Sequence, residues 1–167
     1  MDLPAFHRRA KRNKAGLVQF LKKLEEIVPE DFAPIVAETD KRVWEQIDCT
    51  KCANCCKKMT PTYSKEDMLR IAAHFGLSVK AFKEKWLLQD EGSKDWVNTQ
   101  TPCQFLAADN RCSIYEIRPL DCAEFPHHNK LPFDEYTETY IGNIDRCPAT
   151  NLLVEKLKKR VERDYEW

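Results

Sequence analysis

The stretch Cys49-Thr-Lys-Cys52-Ala-Asn-Cys55-Cys56 decides how the rest of this chain is interpreted, because it places four cysteines within eight residues. Two residues between cysteines bring both sulfurs to the same side of a tight turn, so a Cys-x-x-Cys pair suits two bonds to one metal. Two such pairs overlap here, and their density predicts a loop wrapped around a ligand. Four single cysteines follow along the chain: Cys103, Cys112, Cys122 and Cys147.

The composition argues against disulfides as the use of these eight cysteines. The 167-residue chain has no apolar run near the roughly 20 residues that cross a bilayer, and its charged N-terminus lacks the apolar region of a signal peptide. We therefore expect a cytoplasmic protein that does not enter a membrane. In a reducing compartment, cysteines bind metal as thiolates more often than they form structural disulfides. Metal ions are therefore the expected partners.

The overall charge gives little reason to expect nucleic acid as a partner. The 27 Lys and Arg residues balance 27 Asp and Glu residues, whereas nucleic-acid-binding proteins usually carry a basic excess. Five cations near the N-terminus are a local exception, although a solvated helix face explains them more simply. These cations leave nucleic-acid binding as the weakest alternative function. The five residues are Arg8, Arg9, Lys11, Arg12 and Lys14.

Apolar residues recur at three- and four-residue steps, which predicts a mainly α fold of one small domain. Ser64 and Asp67 resemble a capping box before one of the helices, and Ser78 and Asn151 are the expected caps of two others. The predicted helices cover residues 5–28, 34–47, 65–75, 79–88 and 151 onward.

The segment from Asp90 to Pro148 is rich in proline and turn residues, so it predicts an irregular core with at most a few short β-strands. The most suitable strand segments are Trp96–Thr99 and Tyr140–Ile144. The expected organisation is an N-terminal helical segment over 1–48, a cysteine-cluster metal-binding core over 49–148 and a C-terminal helix over 151–167.

Eight thiolates divide into two sites of four. Two adjacent cysteines on one tetrahedral ion would close a small, strained ring, so Cys55 and Cys56 are expected to serve different centres or different atoms of a cluster. The preferred division places Cys49, Cys52, Cys55 and Cys147 on one centre. It places Cys56, Cys103, Cys112 and Cys122 on the other.

The choice of metal stays open between zinc and iron, including an iron–sulfur cluster, because four thiolates suit all of them. Four thiolates around zinc carry a formal charge of about −2, which nearby cations and N–H···S bonds must offset. Arg118 is the expected cation beside the site, since Pro119 fixes the turn between it and Cys122. His127 and His128 are weaker alternatives for a ligand.

Several motifs in fixed order resemble the CxxCxxCC-type (YkgJ-like) bacterial cysteine-cluster family, a zinc- or iron-chelating domain. The resemblance spans residues 49 to 148, and Gln104 departs from it because proline is common there. It implies metal chelation by the cysteines and no general reaction; a similar motif in flagellin lysine methylases adds an accessory role beside an enzyme. The matching elements are Cys49-x-x-Cys52-x-x-Cys55-Cys56, Glu66-Asp67 with Ile71, Cys103-Gln-Phe-Leu, Cys112-Ser-Ile-Tyr115, Arg118-Pro119-Leu-Asp-Cys122 with Phe125-Pro126, and Cys147-Pro148.

The resulting hypothesis is a metal-binding cysteine-cluster protein whose fold depends on its metal. The alternative is an iron–sulfur redox or accessory component of an enzyme system, and a protein partner is compatible with either. The sequence contains no G-x-S-x-G, no H-E-x-x-H, no phosphate-binding glycine loop and no dinucleotide fingerprint. No catalytic residue is therefore predicted, and a role without catalysis is favoured.

Overall fold

The computed structural model describes residues 2–166, and it confirms the predicted mainly α fold, with 59% of the chain helical and one small three-stranded sheet. Two short 3-10 helices cover Tyr115–Ile117 and Phe133–Tyr136. The strands are β1 Thr62–Tyr63, β2 Leu87–Gln89 and β3 Trp96–Asn98. The α-helices in the described residues are α1 Leu3–Leu24, α2 Phe32–Trp44, α3 Cys49–Cys52, α4 Asn54–Lys58, α5 Lys65–His74, α6 Val79–Trp86, α7 Leu120–Glu124, α8 Thr137–Asn143 and α9 Pro148–Asp164.

The contacts within the chain define two compact units. Unit 1 is formed by the stretch up to Cys49 together with the stretch from Pro126 onward, and unit 2 is Thr50–Phe125. The predicted metal-binding core over 49–148 is therefore longer than unit 2, since residues 126–148 belong to unit 1. The single-domain organisation stays a prediction.

Unit 1 is built from long amphipathic helices. The Asp2 side chain caps α1 by accepting the Ala5 N–H at 2.9 Å, and α9 packs against α1, α2 and α8. The helix α1 ends at Leu24, four residues before the predicted end, because Ile27 and Val28 are largely exposed and make no apolar stripe. Fully buried apolar residues form the core of this unit: Leu21, Leu24, Val43, Leu153, Val154, Leu157 and Val161.

Two predictions in unit 1 are wrong. The segment Tyr140–Ile144 is not a strand but lies in and just after α8, because four buried residues follow a helical spacing: Phe133, Thr137, Tyr140 and Ile144. Asn151 does not cap α9, which begins three residues earlier at Pro148. Its buried side chain donates to the Ile144 carbonyl at 3.1 Å instead.

Unit 2 combines short helices with the antiparallel sheet, whose strand order is β1-β3-β2. The predicted strand at Trp96–Thr99 is confirmed as β3, and the predicted capping box of Ser64 and Asp67 starts α5. Ser78 caps α6 by accepting the Ala81 N–H. The core is a compact apolar cluster: Tyr63, Met68, Ile71, Ala72, Phe82, Leu87, Phe105 and Ile114.

The loop predicted for the cysteine-rich stretch is wrong. This stretch forms two short helices, α3 and α4. Cysteines three residues apart lie on one face of a helical turn, so the Cys-x-x-Cys spacing suits a helix as well as a loop. Ala53 separates the two helices because its backbone is left-handed, with φ of 50°. This break redirects the chain just before Cys55 and Cys56.

Candidate metal centre

Four cysteines of unit 2 come from four separate pieces of local structure. Cys56 lies on α4 and Cys122 on α7. Cys112 pairs with Leu106 in an isolated antiparallel bridge, and Cys103 begins the turn that leads into it. All four thiols are half-buried and free of disulfides.

A tight hairpin presents Cys103 and Cys112 side by side. The Ala107 N–H donates to the Arg111 carbonyl at 2.8 Å, and the Ser113 N–H donates to the Phe105 carbonyl at 2.8 Å. The left-handed backbone of Asn110, with φ of 66°, makes the reversal, as asparagine tolerates this conformation better than most residues. The hairpin therefore sets the spacing between its two thiols.

The hairpin is tied to the first cysteine stretch and to the core of unit 2. The Cys103 N–H donates to the Cys56 carbonyl at 2.8 Å, which brings the end of α4 to the start of the hairpin. Cys103 and Cys112 also pack against the apolar cluster of this unit. These thiols therefore lie against an apolar, low-dielectric surface, which strengthens the electrostatic interactions among them.

The pKa values of the four thiols show that they lie within electrostatic reach of one another. Burial raises the pKa of the Cys122 thiol, and negative charge on Cys56 and Cys103 raises it further. Burial likewise raises the pKa of Cys103 and of Cys112, and a charge on Cys56 adds to both. Four thiols that oppose one another's ionisation need a cation if all are to be thiolates.

Cys56 behaves differently from the other three. The Cys55 thiol hydrogen-bonds to it across 3.9 Å between the two Sγ atoms, and Lys57 adds positive charge nearby. These contacts outweigh burial and lower the pKa of Cys56 to about 7. Near neutral pH, Cys56 is therefore the thiol of this group that most readily supplies a thiolate.

Donor groups face two of the other three sulfurs, those of Cys103 and Cys112. The Phe105 N–H faces the Cys103 thiol and the Ile114 N–H faces the Cys112 thiol, and each lowers the pKa of the cysteine two residues before it. The Arg118 guanidinium also favours the charged form of Cys112. It is held 4.0 Å over the Tyr115 ring and donates to the Tyr115 carbonyl at 2.6 Å.

The four thiols are neighbours rather than a preformed ligand set. Across residues 2–166, no three His, Cys, Asp or Glu side chains are arranged closely enough to hold a metal ion. The donor set nevertheless fits a thiophilic metal by its chemistry, because it consists of four thiols, two of which have N–H groups directed at them and one of which also has a nearby cation. Metal binding requires the sulfurs to draw closer.

The other predicted set, Cys49, Cys52, Cys55 and Cys147, draws on both units. Cys52 and Cys55 belong to unit 2, and Cys49 and Cys147 belong to unit 1. Cys49 is exposed, whereas Cys52 and Cys147 are buried. This second centre therefore stays a prediction.

His128 is engaged by neighbours in unit 1. Its Nδ1 lies 2.6 Å from a carboxylate oxygen of Asp40, and its Nε2 lies 3.0 Å from the Thr150 hydroxyl. The ring is buried, and both of its nitrogens are occupied. A metal would have to displace one of these partners, which makes His128 a poor ligand.

Asp67 positions the start of α7. The sequence predicts only its capping-box role and not this contact. Its buried carboxylate accepts the Leu120 N–H at 3.1 Å and an Arg70 N–H at 2.6 Å, in addition to closing the capping box. Burial works to raise the pKa of Asp67, but hydrogen bonds from Arg70 and Ser64 outweigh it and hold the pKa below its usual value. Asp67 therefore fixes the start of α7, the helix that carries Cys122.

The comparison with known families agrees with this arrangement. A family model described as CxxCxxCC, a putative zinc- or iron-chelating domain, matches residues 48–147, more than half of the chain. The chain belongs to the CxxCxxCC family. The resemblance read from the sequence is thereby confirmed, and the family description supports metal binding. No curated protein and no solved structure gives a significant match.

The CxxCxxCC match starts at the residue before Cys49 and ends at Cys147, so it includes all eight cysteines. It includes all of unit 2 but only parts of unit 1, whose helices α1, α2 and α9 lie entirely outside the matched range. Among the described residues, no helix has both the length and the apolar character required for a membrane span.

Several charged residues elsewhere on this CxxCxxCC protein form ion pairs. A cleft of about 380 Å³ in unit 1 is lined by cations of α2 and α9, including Arg42, Lys159 and Arg163. Each of these three has a carboxylate partner within 2.8 Å. In the N-terminal basic cluster, Lys14 pairs with Asp145 at 2.5 Å, and nucleic-acid binding there stays a prediction.

Proposed function

We propose that this protein binds a zinc or iron ion through the thiolates of Cys56, Cys103, Cys112 and Cys122, and that the bound metal stabilises unit 2. The observation that carries the proposal is the mutual electrostatic influence of these four thiols, which come from separate elements of one unit. The family description supports the chelating role. The bound ion would supply positive charge and thiolate bonds; the chain supplies the arrangement that receives it.

The fold of unit 2 explains why these cysteines act together. The backbone bond between Cys103 and Cys56 joins α4 to the hairpin, and the hairpin holds Cys112 beside Cys103. Asp67 holds the first turn of α7, which positions Cys122. Each sulfur is therefore placed by contacts that do not depend on the other sulfurs, so only the final approach is left to the metal.

Metal binding must also overcome the raised pKa values of three thiols in the group. At neutral pH the buried thiols of Cys103, Cys112 and Cys122 are protonated, because their pKa values are raised. Binding must release these protons, so the apparent metal affinity increases with pH. Because the site forms only in folded unit 2, the binding free energy adds to the stability of that unit.

The experiment is metal analysis by mass spectrometry on the full chain, prepared anaerobically under reducing conditions, together with single Cys→Ser variants. We expect Cys112→Ser and Cys122→Ser each to lose the same single metal equivalent. Cys49→Ser is the matched control, because this exposed cysteine lies outside the group of four. Full metal content in Cys122→Ser, with an intact fold by circular dichroism, contradicts the proposal.

The same preparation distinguishes the alternatives. Zinc in a colourless protein identifies a closed thiolate site, whereas iron with acid-labile sulfide and visible absorption that bleaches with dithionite identifies an iron–sulfur redox component. A second metal equivalent, lost in Cys49→Ser and Cys147→Ser but retained in Cys122→Ser, would establish the second predicted centre. One equivalent in total, unaffected by those two variants, removes it.

A further inference from the structure

A buried carboxamide ends strand β3 directly beside the cysteine group. Asn98 is only 4% exposed, and its backbone N–H donates to the Thr60 hydroxyl at 2.7 Å. Its side-chain Oδ1 accepts two hydrogen bonds, one from the Tyr63 hydroxyl at 2.7 Å and one from Gln104 Nε2 at 2.9 Å. The carboxamide is therefore held firmly by its oxygen.

The Asn98 amide has its oxygen directed at these two donors. A flip of Asn98 alone would bring its NH2 group against the Gln104 NH2 group, where neither can accept. The Asn98 Nδ2 group must then point away from Tyr63 and Gln104. It is buried and has no hydrogen-bond partner.

An unpartnered buried donor of this kind is costly. Leaving a buried N–H unsatisfied destabilises a protein, and such groups are uncommon in native structures. The Cys103 sulfur is the acceptor within its influence: the two groups form no full hydrogen bond, but the Asn98 side chain favours the charged form of Cys103 and so works to lower its pKa. A neutral thiol accepts hydrogen bonds weakly, whereas a thiolate accepts them well.

We propose that Asn98 is a positioning residue of the metal site, whose Nδ2–H donates to the Cys103 sulfur once that sulfur is a metal-bound thiolate. This inference rests on the proposed function. Tyr63 and Gln104 hold the carboxamide in the donating orientation, and metal binding supplies the acceptor that it lacks. The hydrogen bond spreads part of the thiolate charge, which stabilises a site that concentrates four of them.

The two hairpin sulfurs, of Cys103 and Cys112, have similar sets of neighbouring groups. Cys103 is faced by the Phe105 N–H and by the Asn98 side chain, and Cys112 is faced by the Ile114 N–H and by Arg118. Each sulfur thus has one backbone donor two residues along the chain and one side-chain group from elsewhere in unit 2. Asn98 is the neutral counterpart of Arg118 at this site.

The test uses the full chain loaded with Co²⁺, whose thiolate-to-metal charge-transfer bands report on the electron density of the sulfurs. Asn98→Asp keeps both hydrogen bonds to the retained oxygen position but replaces the donor with a carboxylate oxygen. We expect the charge-transfer band to move to lower energy, and the zinc affinity measured against a chromophoric chelator to fall roughly tenfold or more. Thr60→Val is the matched control, because it removes a hydrogen bond to the Asn98 backbone without touching the carboxamide.

The outcomes separate the two proposals. A wild-type chain without a thiolate-to-cobalt band overturns the proposed function and this inference with it. A wild-type band that Asn98→Asp leaves unchanged, with unchanged affinity, overturns only the role of Asn98. If Asn98→Asp fails to fold, Tyr63→Phe replaces it in the test, since this variant removes one of the two donors that orient the carboxamide. A smaller shift of the charge-transfer band in the same direction supports the inference. A band identical to that of Thr60→Val contradicts it.

Discussion

Units 1 and 2 are stabilised in different ways. In unit 1, α1 has 22 residues and α9 has 17, and their apolar stripes bury side chains completely. In unit 2 the longest helix has 10 residues, and no strand in the described residues exceeds three. Short elements bury little surface each, so unit 2 depends more on specific polar contacts.

The same difference favours unit 2 as the place of the proposed metal site. Long helices hold their own shape, and in unit 1 each ring nitrogen of the buried His128 has a partner. Unit 2 instead keeps a group of thiols that oppose one another's ionisation and a carboxamide N–H without an acceptor. A bound metal would offset the charge of the thiolates and would give the carboxamide N–H a thiolate acceptor. Unit 2 is therefore the unit that we expect to gain stability from a metal.

Removal of the metal is expected to have the largest effect, and to affect unit 2 selectively. In hydrogen-exchange mass spectrometry under reducing conditions, chelation should accelerate exchange roughly tenfold or more in α5 and in the hairpin of Cys103 and Cys112. The amides of α9 in its Leu153–Val161 stretch, buried in an apolar core, should change little. Unchanged exchange in unit 2 after confirmed metal loss would show that this unit needs no metal.

Leu157→Ala tests the opposite side of the comparison. The side chain is fully buried in unit 1, so its truncation should reduce the free energy of unfolding by about 3 kcal/mol in urea titration. The metal content should remain that of the wild-type chain. Leu152→Ala on the same helix is the control, because its half-buried side chain should cost clearly less. Equal losses for the two variants would contradict a core centred on Leu157.

Asp67→Asn tests the polar contacts that organise unit 2. The amide cannot satisfy Ser64, Arg70 and Leu120 as the carboxylate does, so we expect a loss of about 2 kcal/mol, followed by the fluorescence of Trp86 and Trp96. The folded-state pKa of Asp67 is lowered, so its contribution is present above its unfolded pKa and is lost as the pH falls through the folded value. The variant should therefore differ from the wild type at neutral pH and converge with it in acid.

Glu66→Gln is the control for this substitution, because Glu66 is exposed on the same helical turn. It should leave the unfolding curve nearly unchanged at every pH. A constant difference between Asp67→Asn and the wild type down to strongly acidic pH would contradict a role for the ionised carboxylate.

Glu155→Gln should have the smallest effect. Its pair with Lys159, at 2.8 Å along α9, involves a lysine side chain that is 72% exposed. Such pairs contribute less than about 0.5 kcal/mol, so the unfolding midpoint of unit 1 should hardly move. A loss comparable with that of Leu157→Ala would mean that surface pairs, rather than the apolar core, stabilise this unit.

Local sequence rules are enough to identify most of the helices. Periodic apolar residues predicted α1, α2, α5, α6 and α9, and the capping box at Ser64 placed the start of α5. The errors arose where two local rules compete. Tyr140 and Ile144 favour a strand by residue type, but the buried stripe that includes Phe133 makes this segment helical. Likewise, Cys-x-x-Cys spacing suits both a loop and a helical turn.

The sequence by itself determined the helical class, the family and the chemistry of the candidate ligands, because periodicity, motif order and thiol groups are all properties of the chain. Only the tertiary structure decided which groups meet. Leu120 lies 53 residues from Asp67, and Tyr63 lies 35 residues from Asn98, so no local pattern reveals either hydrogen bond. The electrostatic influence of Cys56 on Cys122 likewise depends on distant contacts: α4 is bonded to the start of the hairpin, α7 contacts β1, and the hairpin cysteines pack on the apolar cluster of unit 2. Contacts between distant residues form only when burial of that cluster outweighs the entropy of closing the intervening chain.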